Sequence, residues 1–72
     1  MKYSIQLIEG WIGFYDRRSG RYGVTARDQE RIRCSYALAA DIAQMLRSRG
    51  VWARVQPVLG IEHRAQTYNA VK

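Results

Sequence analysis

The sequence predicts an α+β fold: an antiparallel sheet of three to four strands with one long helix packed on one face, in the order β-β-β-α-β. Three observations carry this. Apolar and polar residues alternate through the chain up to Thr25. One segment, Asp28 to Gly50, has helical periodicity, and alternation resumes after Gly50. At 72 residues the chain is one domain, 1–72, with no room for a second. A chain of this size buries only about 60% of its unfolded surface, so it needs a compact core, a partner, or both.

The first expected strand is Met1 to Glu9, where Tyr3, Ile5 and Leu7 alternate with Ser4 and Gln6. Gly10 marks either a turn or a bulge in one long strand. The second strand is Trp11 to Asp16, with Ile12 and Phe14 on one face and Trp11, Gly13 and Tyr15 on the other. Arg17-Arg18-Ser19-Gly20 reads as a turn, with Gly20 supplying the positive φ of a short hairpin loop. Arg21 to Thr25 returns, with Tyr22 and Val24 on one face and Arg21 and Gly23 on the other.

The helix is expected over Asp28 to Gly50. Leu38, Ile42, Met45 and Leu46 fall on one face, with Ser35 and Ala39 inside the same arc and Ile32 at its edge. Thr25 and Asp28 have the spacing of a capping box, and Asp28 is itself an N-cap candidate. Gly50 is placed as the C′ residue, after Arg47 and Arg49 in the last turn. The opposite face carries Arg33, Ala37, Ala40, Asp41, Gln44 and Arg47. Val51 to Leu59 is the fourth strand, and Pro57 puts it at an edge or ends it. Residues 61–72 form either a last edge strand or a loose tail.

Formal net charge is +6, and ten of the 12 basic residues are arginine. A GC-rich coding sequence would explain arginine over lysine, but not the excess of base over acid. That excess favours an anionic partner. The longest apolar run, Tyr36 to Ala40, is too short for a bilayer, so no membrane partner is expected. The N-terminus lacks the apolar core of a secretory signal. Cys34 is the single cysteine, which excludes an internal disulfide and fits a reducing, cytoplasmic compartment.

Catalysis has little support. His63 is the lone histidine and lies in a polar stretch, Cys34 lies beside the apolar arc, and the six acids are scattered. No spacing matches a metal site, a P-loop or a dinucleotide fingerprint, so no metal or cofactor is expected. Binding is better supported. Arg17, Arg18 and Arg21 cluster at the hairpin tip, and Arg27, Arg31 and Arg33 around the expected helix start. Trp11, Tyr15, Arg21, Trp52 and Arg54 all fall on the sheet face away from the apolar set. Two plainer readings stand beside these: the arginines form a solvated face, and the aromatics pack under the tail or against a second copy.

From Gly13 to Val58 the chain resembles small proteins encoded by bacteriophages and other mobile elements. The pattern is an aromatic hairpin, GFYDRRSGRYGVT, then an alanine-rich helix ending in LRSRG, then VWARVQPV. Proteins of this plan include anti-CRISPR proteins, which bind and block a host surveillance complex. The resemblance implies a non-enzymatic inhibitor of a host nucleoprotein complex such as a CRISPR effector, acting in the host cytoplasm. The basic charge argues against mimicry of DNA. Two alternatives are a small basic nucleic-acid-binding module and a homodimeric structural or regulatory protein joined through the alanine patch or the sheet.

Overall fold

A computed structural model describes residues 1–58. The expected strand or tail over 61–72, with His63, lies outside the described residues. The chain runs β1 (Lys2–Leu7), β2 (Gly10–Tyr15), β3 (Tyr22–Thr25), a 3-10 turn (Asp28–Glu30), α1 (Tyr36–Ser48) and β4 (Arg54–Val58). The strands form one antiparallel sheet in the order β3-β2-β1-β4. This is the α+β fold, β-β-β-α-β, that the periodicity implies.

Leu7 pairs with Gly10, so Ile8 and Glu9 form a two-residue hairpin loop. Gly10 is therefore a turn position, with φ +153°, and a Cβ there would run into the Thr25 carbonyl. The bulge lies further on. Ile12 pairs with Val24 and Phe14 with Gly23, so two steps along β2 answer one along β3. Gly13 is the extra residue, and alternation reverses beyond it. Ile12 is buried, Phe14 is exposed and Tyr15 packs on the core. The expected pairing of Phe14 with Ile12, and of Tyr15 with Trp11, is corrected accordingly.

Pairing of β1 with β2 stops at Gln6–Trp11, and the two strands then part. The chain after the 3-10 turn fills the gap. The Ile32 N–H donates to the Ile12 carbonyl at 2.9 Å, while Tyr3 and Cys34 exchange both backbone bonds at 2.7 and 2.9 Å. The buried Ser4 hydroxyl donates to the Ile32 carbonyl at 2.7 Å. Residues 31–34 are thus held extended between two strands, which overrides any helical tendency there.

For that reason the helix starts at Tyr36, not near Asp28. Ser35 is the N-cap, its hydroxyl accepting the Leu38 N–H at 3.2 Å. Asp28 and Glu30 belong to the separate 3-10 turn, whose end is tied to β3 by the Thr25 hydroxyl donating to the Glu30 carboxylate at 2.8 Å. The helix ends as expected at Gly50, φ +83°. Gly50 N–H bonds Arg47 O and Val51 N–H bonds Leu46 O, the paired closure that satisfies the last carbonyls.

The buried helix residues are Ala39, Ile42, Ala43 and Leu46. Leu38 is half-buried and Met45 is 40% exposed, so the face is rotated toward the alanines from the expected arc. Ala39 and Ala43 let α1 lie close to β1 and β4, and Ile5, Leu7, Ile12 and Ala53 complete the core. Pro57 fits edge strand β4 because its partner Tyr3 spends its own backbone groups on Cys34. No donor is asked of residue 57 from that side.

Candidate functional site

The β2–β3 hairpin tip is built to hold one shape. The Asp16 carboxylate accepts the Arg18 N–H and the Ser19 hydroxyl, both at 3.0 Å. Gly20 N–H bonds Asp16 O at 2.7 Å, and Asp16 N–H bonds Arg21 O at 2.8 Å. Gly20 is buried with φ +77°, and a Cβ there would meet the Arg49 guanidinium. Arg49, the C-cap of α1, donates to the Gly20 carbonyl at 2.9 Å. The tip is thereby fastened to the end of the helix, and its one carboxylate is spent inside the turn.

Arg17, Arg18 and Arg21 project from this fastened tip, all exposed. Arg17 stands 3.8 Å from Asp41, with both side chains largely in solvent. Such a pair holds little energy and is readily exchanged for another anion. Arg18 and Arg21 have no carboxylate partner among the described residues.

The second expected cluster is dispersed. Since α1 begins after Ser35, Arg27, Arg31 and Arg33 do not gather at a helix N-terminus. Arg27 pairs with Glu30 at 3.3 Å. Arg33 is exposed and reaches the Arg31 carbonyl at 3.5 Å. Arg31 is buried, its guanidinium 4.5 Å from the centre of the Trp11 ring. That cation–π contact, worth about 2 kcal/mol when desolvated, makes Arg31 part of the structure.

The expected aromatic face is likewise redistributed. Trp11 is half-buried beneath Arg31, and Glu30 lies over Gly13, so the 3-10 turn covers this part of the sheet. Tyr15 packs on the core, opposite Tyr22. Trp52 precedes β4 and lines a shallow cleft of about 380 Å³ with Ile8, Glu9, Tyr22 and Val51. It therefore keeps company with a core-face tyrosine, not with Trp11. Arg54 is exposed on β4 opposite Gln6, beside the Gln56–Gln6 side-chain bond of 2.9 Å.

Sequence reasoning missed Phe14. It is 56% exposed and faces away from the core. Its ring occupies the space that a side chain at Gly23, its cross-strand partner, would fill. The glycine at position 13, midway along an aromatic strand, was the available signal. No family model, curated protein or solved structure matches this chain.

Among the described residues, no activating base is hydrogen-bonded to Cys34, whose bonds run to Tyr3. Burial pushes its thiol up from the ordinary value, against a smaller opposing pull from Lys2. Its Sγ lies 3.7 Å from the Tyr3 carbonyl oxygen, the position of a weak donor. Among the described residues no group of His, Cys, Asp and Glu is placed to hold a metal ion. No helix there is long and apolar enough to cross a membrane.

Proposed function

We propose that this protein is a non-enzymatic binding protein whose target is a nucleoprotein complex, engaged through the arginines of the β2–β3 hairpin. The observation that carries this reading is the fastened tip, with Arg17, Arg18 and Arg21 outward and Asp16 internally consumed. A pre-shaped turn loses little backbone freedom on binding, leaving only the arginine side chains to be ordered. Arginine's planar fork suits phosphate and carboxylate groups alike. The likeness to small mobile-element proteins extends the proposal to inhibition of a host machine such as a CRISPR effector.

The test is a pull-down from the host with and without nuclease, using the native chain and an Arg17→Glu, Arg18→Glu variant. The expected result is a discrete partner complex that the native chain retains and the variant loses. Equal capture by both chains would remove the hairpin from the interface. Capture of nothing would remove the proposal.

A further inference from the structure

We propose that Phe14, together with Arg18 and Arg21, forms a binding site for single-stranded nucleic acid, with a base stacked on the phenyl ring and phosphates on the guanidinium groups. This rests on the preceding reading of the hairpin as the binding surface, and it names the part of the partner that is touched.

The geometry begins with the bulge. Gly13 turns Phe14 out of the core and onto the opposite face, where it stands over Gly23. The ring is more than half exposed, so its face is open to a ligand. It is also a fixed surface, because the backbone of Gly23 backs the ring and the ladder holds both strands.

Arg21 lies on the same side. The Asp16 N–H to Arg21 O bond carries hairpin pairing one residue beyond β3. Arg21 therefore shares the face of Gly23, two residues and about 7 Å along the strand. Arg18 follows at the tip, its backbone pinned by Asp16. An exposed aromatic ring flanked by cations is the combination that tracks a single strand: each base offers a π-face, and each linkage a negative charge. A duplex keeps its bases stacked on each other, so it has no use for Phe14.

Fluorescence anisotropy with labelled oligothymidine and oligouridine of about ten nucleotides, within the site sizes such surfaces use, tests the proposal. A duplex of equal length is the comparison. The native chain should bind the single strands more tightly than the duplex at low salt. Phe14→Leu still covers Gly23 but cannot stack, and it should weaken single-strand binding between about fivefold and a hundredfold with duplex binding unchanged. Phe14→Trp should retain or improve it. Arg18→Gln with Arg21→Gln should reduce the slope of log single-strand affinity against log salt by about 1.4. Both arginines are exposed, so that variant carries the test even if Phe14→Leu unfolds.

Equal single-strand affinity for Phe14→Leu and the native chain would overturn the proposal. So would a preference for duplex, or no binding at low salt. If single strands fail to bind while a nuclease-resistant protein complex is still captured through Arg17 and Arg18, this inference falls and the broader function stands. If neither is seen, both fall.

Discussion

Cys34 sits where the chain passes between β1 and β2, bonded through its backbone to Tyr3. Burial disfavours its thiolate, so its folded pKa lies above the unfolded one. The stability this contributes is complete below the unfolded value and is lost as pH rises through the folded value. Two outcomes follow. Iodoacetamide should alkylate the folded chain at neutral pH more slowly than the unfolded chain. The stability difference between the native chain and Cys34→Ala should also shrink as pH climbs past the ordinary thiol range. Alkylation of the folded protein as fast as the denatured one would show that Cys34 is not shielded. At this same scale Phe14 and Tyr15 exchange faces because of one inserted glycine, which strict alternation does not anticipate.

Where the helix begins is decided by pairing, not by propensity. Thr25, Asp28 and Glu30 carry real start signals, and they are used, but on a single 3-10 turn. Residues 31–34 then cannot coil, because Ile32 and Cys34 are bonded to strands on either side. The cap falls to Ser35. Ser35→Ala should therefore cost about 1 kcal/mol, and Asp28→Ala less than about 0.5 kcal/mol. On the helix faces, Ile42→Ala should cost about 2–5 kcal/mol, and Met45→Ala well under that. Denaturant titration of the four variants measures all of this. An Asp28→Ala loss equal to that of Ser35→Ala would restore the longer helix.

The whole molecule has a small core, with one helix face against β1, β4 and the inner side of the hairpin. A single loss of 2 kcal/mol is a large share of the stability of so small a domain. The two tryptophans should divide on this point. Trp11→Ala leaves the buried Arg31 guanidinium without the ring it lies against, and should cost about 2 kcal/mol or more. Trp52 is half exposed at the rim of a cleft, so Trp52→Ala should lower the melting temperature by less than about 8 °C. It should weaken partner capture more than folding, since tryptophan is the residue most enriched in binding hot spots. A larger melting shift with capture unchanged would place Trp52 in the core.

The sequence by itself determined the strands, the helix and their order, the hairpin turn with Gly20 and the helix stop at Gly50, and it limited the strand holding Pro57 to an edge or an end at that residue. Each depends on residues within a few positions of one another: alternation, helical spacing, a glycine's free φ, a proline's missing N–H. It also showed the arginines of the tip, since a run of charge is plain in one dimension. Only the tertiary structure decided which arginines remain available, which aromatic ring faces outward and where the helix starts. Those outcomes rest on contacts between distant residues: Ser4 with Ile32, Tyr3 with Cys34, Arg31 with Trp11, Arg49 with Gly20. β1 and β2 part company, the chain returns through the gap, and a bulge reverses one strand's faces. No local pattern encodes such pairings, because their energy appears only once both partners are in place.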